Sequence, residues 1–384
     1  MHVVIDLTAL LPEPTGVDTY LRQLVLHLGL IDHDNHYTIL VNYEDRRLFD
    51  GVLPRNFAIV PLCFRPRPIR LLLQQVVLPA VARWCGVDVV HSPSFIMPFY
   101  RGRPRHVLTV YDMTSFSLPH CHTPLHRSGI YRRAVLASIR RADLVTVPSR
   151  FTQQAILNLV PELPPGRVCT IAPGIGEEFR VCHSQQIREV LDRHRLPDSY
   201  ILYVGTIEPR KNLERLVEGY RRLIATGTIS EHLVFAGRSG WGHNRLLAQL
   251  NSSDLRGRVH LTGYVTQSDL LCLYAGATLF VYPSLEEGFG FPPLEAMACG
   301  VPTISSLSSA LAENLEGAAE LVPPDDVEAL TDAMRRLLQD ASLRAKCREQ
   351  GLERAAQFRW KETARQTLSC YSRLASGELA RRRP

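Results

Sequence analysis

Two doubly wound α/β domains in tandem, each a parallel sheet between layers of helix, are what this sequence predicts. Short β-branched apolar runs alternate with helical patterns through both halves, the signature of parallel α/β layers. At 384 residues the chain is too long for one ordinary core. Its 45% hydrophobic and 21% charged content fit a globular protein. No apolar run approaches the roughly 18 residues of a membrane span.

In the first half, strands are expected at 2–7, 37–42, 57–61, 88–91, 106–111 and 144–147, with helices at 17–29, 71–84, 127–140 and 151–159. Val3-Val4-Ile5 and Leu144-Val145-Thr146-Val147 are the type of run that a strand buried on both faces requires. In the second half, strands are expected at 168–171, 200–205, 232–236, 258–261, 278–281, 301–305 and 319–322. Helices there include 212–224, 267–274, 292–299, 326–339, 342–356 and 361–375. A ligand in such a fold belongs at the carboxyl ends of the strands.

Residues 1–180 carry 19 Arg, no Lys and 14 Asp or Glu, so the basic excess lies in the first half. That half could meet anionic lipid or an acidic acceptor, or simply present a solvated Arg-rich surface. The opening residues, Met1-His2-Val3-Val4-Ile5-Asp6, read as a buried strand rather than a signal core, which predicts a cytoplasmic protein, including one at the inner face of the cell membrane. The nine scattered cysteines contain no C-x-x-C pair and read as reduced thiols. Neither His120-Cys121-His122 with His126 nor Asp32-His33-Asp34 makes a convincing metal site. The first crowds adjacent ligands into one loop, and the second reads as a surface turn.

The most informative run is Glu287-Gly288-Phe289-Gly290-Phe291-Pro292-Pro293-Leu294-Glu295, leading to Gly300. Pro292 and Pro293 suit the first positions of a helix, Gly300 its C-terminal cap, and Glu295 the first turn. The N–H groups of a helix start favour an anion, and a carboxylate can accept hydrogen bonds from a ribose diol. Capping alone would require neither Gly-Phe-Gly nor Glu287.

A second cluster is Gly205-Thr206-Ile207-Glu208-Pro209-Arg210-Lys211-Asn212. Here a strand ends, and Asn212 can cap the following helix. Lysine occurs at only three positions, 211, 346 and 361, which gives Lys211 weight. A third is Pro14-Thr15-Gly16-Val17-Asp18 after the first strand, where Gly16 permits close backbone approach. The alternative is an ordinary glycine turn.

These runs resemble the retaining glycosyltransferases of family 4, which adopt the GT-B fold of two Rossmann-like domains facing across a cleft. Glu287 and Glu295 match the family's E-x7-E signature, and Gly205 to Asn212 its G-x-x-x-x-R-K-N pattern. The resemblance implies that Glu295 binds the nucleotide ribose and that Glu287 lies beside the donor sugar. The amides of Gly288, Phe289, Gly290 and Phe291 would hold diphosphate and sugar, with Arg210, Lys211 and Gly16 near the phosphates. Many relatives carry Arg where Thr206 stands, so the phosphate pairings are open. Relatives commonly have His-Asp where this chain has Tyr111-Asp112, so no catalytic His carries over. Tyr111 could still donate a hydrogen bond, with Asp112 orienting it or the acceptor, or it could be a packed strand-end Tyr. His91 is a further candidate.

By resemblance, the chain divides into an acceptor-side domain over 1–175 and a nucleotide-sugar domain over 176–360, linked through Ala172 to Phe179. The last helix, near 361–384, would pack back on the first domain. The implied activity moves a hexose from a nucleotide-diphosphate sugar to a glycan or lipid-linked acceptor, without cofactor or divalent metal. The N-terminal loop and Val110-Tyr111-Asp112-Met113 look most like bacterial polysaccharide mannosyltransferases, which favours GDP-mannose over a UDP-hexose. A nicotinamide oxidoreductase would need a glycine fingerprint where Leu7-Thr8-Ala9-Leu10-Leu11 stands. A non-catalytic scaffold of the same fold would not need both acids and the Arg-Lys pair. Phe64 to Leu73 joins a basic turn to an apolar helix start; a core helix with a polar entry loop is the more economical reading, and peripheral membrane contact is the alternative.

Overall fold

The structure, a computed structural model, describes residues 1–11, 15–63, 67–100, 102–227, 229–242 and 244–378. Pro14, Phe64-Arg65-Pro66 and Arg381-Arg382-Arg383 lie outside the described residues, as do the side chains of 67–69. The chain divides into two units. One holds Met1–Ser117, Pro124–Gly174 and Arg359–Pro384; the other holds Leu118–Thr123 and Ile175–Phe358.

The first unit contains β1 (His2–Asp6), α1 (Gly16–Ile31), β2 (His36–Asn42), β3 (Phe57–Leu62), α2 (Arg67–Trp84), β4 (Val89–Ser92), β5 (Arg105–Thr109), α3 (Thr114–Ser117), α4 (Gly129–Arg141), β6 (Leu144–Val147), α5 (Arg150–Leu159) and β7 (Val168–Thr170). Its strands form one parallel sheet in the order β3-β2-β1-β4-β5-β6-β7. Val3, Val4 and Ile5 are fully buried, as a central strand covered on both faces demands. The residues 168–170 close the edge of this first sheet. Ahead of α1, the Asp18 carboxylate accepts from the amides of Leu11 and Thr15 and from the Thr15 hydroxyl. These bonds fix the chain as it enters the helix at Gly16.

The second unit contains α6 (Ser184–His194), β8 (Tyr200–Val204), α7 (Leu213–Ala225), β9 (His232–Ala236), α8 (Asn244–Leu250), β10 (Val259–Gly263), α9 (Gln267–Gly276), β11 (Leu279–Tyr282), α10 (Phe291–Ala298), β12 (Thr303–Ser306), α11 (Ser309–Leu315), β13 (Glu320–Val322), α12 (Val327–Gln339) and α13 (Ala341–Ala355). Its parallel sheet runs β10-β9-β8-β11-β12-β13. Strand order reverses between β8 and β11, the switch point at which doubly wound sheets open a crevice.

The last helix, α14 (Trp360–Ala375), belongs to the first unit. The Trp360 ring meets Tyr20 edge-on at 5.9 Å and lies 6.3 Å from the ring of His27. A Cβ at Gly174 would stand 2.1 Å from the Trp360 amide nitrogen, so the close passage of these two backbones requires glycine.

Each expected strand appears, with ends moved by one or two residues. The short helices α3, α8 and α11 were not among those expected, because few turns leave little periodicity to read; the longer α6 was not among them either. Two expectations are corrected. His91 is no site residue: it is fully buried, its Nδ1 lies 2.6 Å from the Tyr371 hydroxyl and its Nε2 2.7 Å from Thr109 Oγ1. Burial drives its pKa down to about 3, so it packs as a neutral ring. The expected strand through 111 ends at Thr109, which leaves Tyr111 in the following turn.

Asp32 is the hub of its turn. It accepts from the backbone amides of Asp34 and Asn35, from Asn35 Nδ2 and from the Tyr37 hydroxyl.

Candidate functional site

β8 ends at Val204, and the chain turns through Gly205 and Thr206 into a short 3-10 turn, Pro209–Lys211. Asn212 then takes a left-handed conformation, φ 59° and ψ 33°, before α7 begins. Its side chain does not cap that helix as expected. Asn212 Nδ2 donates instead to the carbonyls of Pro283 (3.0 Å) and Pro324 (2.7 Å). Asparagine tolerates this backbone geometry because its short polar side chain bonds locally. The effect is to tie the β8 turn to the turn after β11.

Across the switch point, β11 delivers Tyr282, Ser284 and Glu287. Lys211 Nζ donates to Glu287 Oε1 and to the Tyr282 hydroxyl, both at 2.6 Å. The same Oε1 accepts from Ser284 Oγ at 2.7 Å and from the Tyr282 hydroxyl at 3.1 Å. Arg210 Nη1 stands 2.7 Å from Glu287 Oε2 and donates to the Glu286 carbonyl at 2.8 Å, while Nη2 meets Glu208 Oε1 at 2.8 Å. Glu208, Lys211 and Glu287 are buried. Two cations and two carboxylates thus form a neutral, hydrogen-bonded array. Buried charges survive only when so compensated.

The array sets its own protonation. Burial would raise the Glu287 pKa, but Arg210 and Lys211 outweigh it and hold the carboxylate at about 2. Burial, then Arg210, push the Lys211 ammonium below its ordinary value against the opposing pull of Glu287. Burial, then Glu287, push the Tyr282 phenol far above its ordinary range, so it remains a donor. Both cations are already engaged by Glu287. An arriving diphosphate must share them or draw them away.

Backbone geometry fixes the loop that follows. The Glu287 amide donates to Ser309 Oγ at 2.9 Å, and Ser309 itself holds a positive φ of 53° at the start of α11. Asn314 Nδ2 donates to the Phe289 carbonyl at 2.8 Å. Phe289 is buried against the rings of Phe291 (4.9 Å) and Phe358 (5.5 Å). Gly290 has φ 92°, and a Cβ there would lie 2.5 Å from Leu311 Cδ2. Only glycine meets both demands. Gly288 is buried between these anchored neighbours.

α10 begins at Phe291, one residue earlier than expected, with the prolines second and third. Glu295 accordingly sits in the second turn, and the first turn carries no acid. It is half-buried, and the Tyr274 hydroxyl donates to its Oε2 at 2.9 Å. Burial raises its pKa to about 7, with Tyr274 pulling down and Glu178 adding to the rise. Near neutral pH this carboxyl is poised between acid and carboxylate. Gly300, at φ 77°, follows the helix as anticipated. Thr206 is half-buried, and its carbonyl accepts from the Tyr203 hydroxyl at 3.2 Å.

Among the candidates in the first unit, Tyr111 and Asp112 are engaged in structure. Gly16 is exposed at the first position of α1. Tyr111 is a packed residue: its hydroxyl donates to the Pro93 carbonyl at 2.8 Å and its ring meets Tyr20 and Phe95 edge-on. Asp112 accepts from the Thr114 amide and hydroxyl, capping the short α3. Of the two readings open for Tyr111, the packed residue is the one the structure shows, with the Pro93 carbonyl taking its hydroxyl hydrogen.

Sequence reading missed Glu208, Tyr282, Ser284 and Ser309. A signal existed for two of them. Tyr282 and Ser284 are two apart at the end of a strand, so they project to the same side just ahead of Glu287.

Residues 14–179 match the family described as Glycosyltransferase Family 4, and residues 187–354 the one described as Glycosyl transferases group 1. The chain is 32% identical over 380 residues to O-antigen chain mannosyltransferase B of Escherichia coli, covering 94% of this chain and 96% of that one. It is 35% identical over 243 residues to the serotype-specific mannosyltransferase WbdA of Escherichia coli, covering 62% of this chain but only 30% of that longer protein. Among solved structures, sucrose-phosphate synthase from Thermosynechococcus elongatus superposes with a TM-score of 0.78 at 21% identity, covering 98% and 99% of the two chains. Anabaena HepE in complex with UDP-glucose gives 0.77 at 16%, covering 97% and 99%. The last two likenesses show the fold alone. The near full-length match to a curated relative, with family matches over both halves, leads to one conclusion: the chain belongs to glycosyltransferase family 4 and is a hexosyl-transferring enzyme of the GT-B fold.

Proposed function

We propose that this enzyme moves mannose from GDP-mannose onto a glycan or lipid-linked saccharide of a bacterial surface polysaccharide, with retention of anomeric configuration and without a divalent metal. The full-length likeness to an O-antigen mannosyltransferase supports the sugar and the pathway class. The observation that carries the chemistry is the state of Glu287. Its carboxylate accepts from Lys211, Tyr282 and Ser284 and pairs with Arg210. A carboxylate so engaged, with a pKa near 2, is a poor base and a poor nucleophile. Its role is to hold Arg210 and Lys211 in place beside a leaving diphosphate.

Catalysis then rests on positioning and electrostatic stabilisation. Arg210 and Lys211 meet the diphosphate as charge builds on it, with the loop from Gly288 to Phe291 beside the sugar. The acceptor hydroxyl attacks the anomeric carbon, its proton passes to a donor phosphate oxygen, and the bond to the diphosphate breaks. Glu295, beside the start of α10, accepts hydrogen bonds from the ribose diol when ionised.

Isothermal titration with GDP and UDP tests the base. Binding of GDP at least about tenfold tighter, 1.4 kcal/mol, supports the reading. Preference for UDP replaces it with a UDP-hexose transferase, and binding of neither favours a scaffold. NMR of the product's anomeric proton tests retention.

A further inference from the structure

Cys169 and Cys370 stand 201 positions apart in the chain, yet the Cys370 thiol donates to the Cys169 sulfur at 3.8 Å. Cys169 lies on β7, the edge strand of the first sheet, and is half-buried. Cys370 is buried on α14, on the face that also carries Thr363, Thr367, Tyr371 and Leu374. The helix is held to the sheet on either side of the pair. The Thr363 hydroxyl donates to the Ala172 carbonyl at 2.7 Å, and the Tyr371 hydroxyl lies 2.6 Å from His91 Nδ1. Packing thus keeps the two sulfurs in contact, while the edge position leaves Cys169 partly open to solvent.

The two thiols differ in character. The hydrogen bond from Cys370 stabilises a thiolate on Cys169, burial opposes it and Arg373 adds its charge, which leaves the Cys169 pKa at about 7. Donating that hydrogen, and being buried, pushes the Cys370 thiol far up. Burial likewise raises the thiols of Cys121, Cys272, Cys299 and Cys347. An accessible thiolate beside a second cysteine is the arrangement that oxidation selects. We infer that Cys169 and Cys370 form an oxidisable dithiol, a modification site at which a peroxide closes a reversible disulfide and fastens α14 to β7. The Cys169 thiolate attacks one peroxide oxygen and the O–O bond breaks, which gives a sulfenic acid and, with a proton from solvent, water. The Cys370 sulfur then attacks the Cys169 sulfur. Its thiol proton and the hydroxyl leave together as a second water, and the S–S bond forms. Two thiols lose two electrons, and one peroxide becomes two waters. The loop so closed contains residues 175–358 of the second unit. A cross-link over so long a loop stabilises mainly by restricting the unfolded chain.

The test treats the full reduced chain with hydrogen peroxide, quenches it with N-ethylmaleimide and digests it with trypsin. Non-reducing mass spectrometry should find residues 168–180 joined to 366–373, lighter by the hydrogens of both thiols, and dithiothreitol should part them. Cys370→Ser should abolish that link and leave Cys169 as the sulfenic acid, captured by dimedone. Cys169→Ser should leave Cys370 a free thiol at the same dose. If Cys370→Ser melts early when reduced, Cys169→Ser carries the comparison. The oxidised wild type should melt about 3 °C or more above its reduced form, with neither variant shifting. Cys169 left as a thiol in the oxidised wild type overturns the inference. So does its pairing with any other cysteine, or its passage to sulfinic acid without the link. A chain that carries the link but melts no higher overturns the fastening of α14.

Discussion

Lys211 Nζ and Glu287 Oε1 lie 2.6 Å apart although 76 positions separate them in the chain. One follows β8 and the other follows β11, the two strands between which the order of the second sheet reverses. The pairing is thus a product of the winding of the sheet. It puts a neutral array of two cations and two carboxylates where such folds bind ligands.

Glu287→Gln should lower kcat by about 100- to 1,000-fold, the scale for losing one preorganised electrostatic contact. It should also change acid stability. The folded pKa, about 2, lies below the ordinary 4.5, so ionised Glu287 adds stability above about pH 4.5 that disappears as pH falls toward 2. Melting temperatures of wild type and variant should differ at pH 7 and draw together as pH falls from about 4.5 to 2. A constant gap across that range would count against the ion-pair account.

Lys211→Ala should cost about 3 kcal/mol in urea unfolding as well as activity, because it leaves part of the Glu287 charge buried without its cation. The double variant Lys211→Met with Glu287→Gln should recover most of that stability and none of the turnover. Recovery of both would show that the pair serves the fold only.

Glu295 titrates the other way. Its folded pKa of about 7 is raised above the ordinary 4.5, so folding favours the protonated form and its stabilising effect fades as pH climbs from about 4.5 through 7. A ribose diol prefers the carboxylate as acceptor. GDP affinity of the wild type should therefore rise between about pH 6 and 8 more steeply than that of Glu295→Gln, measured by calorimetry. Parallel pH profiles would remove Glu295 from the ribose.

Gly290→Ala should destabilise the loop by about 1–3 kcal/mol through backbone strain alone. Adding Leu311→Ala clears the 2.5 Å contact but not the positive φ, so the double variant should regain little activity. Full recovery would mean that the side-chain contact, and not the backbone, makes glycine necessary.

Tyr111→Phe should keep turnover within about twofold and lose about 1 kcal/mol, the worth of one hydrogen bond to the Pro93 carbonyl. A hundredfold fall in kcat with unchanged KM would restore Tyr111 as a catalytic residue.

The periodicities of this sequence determined the strands and longer helices, because alternation and 3.6-residue spacing act over a few neighbouring positions. Local composition likewise singled out the Gly-Phe-Gly run and the Arg-Lys pair, where glycine conformations and scarce lysines leave a mark on the residues themselves. Only tertiary structure decided what those groups do to one another. It buried Lys211 against Glu287, spent the Tyr111 hydroxyl on Pro93 and sealed His91 between Thr109 and Tyr371. Burial, and the hydrogen-bond partners it enforces, arise between residues tens to hundreds of positions apart, and no local pattern encodes that separation.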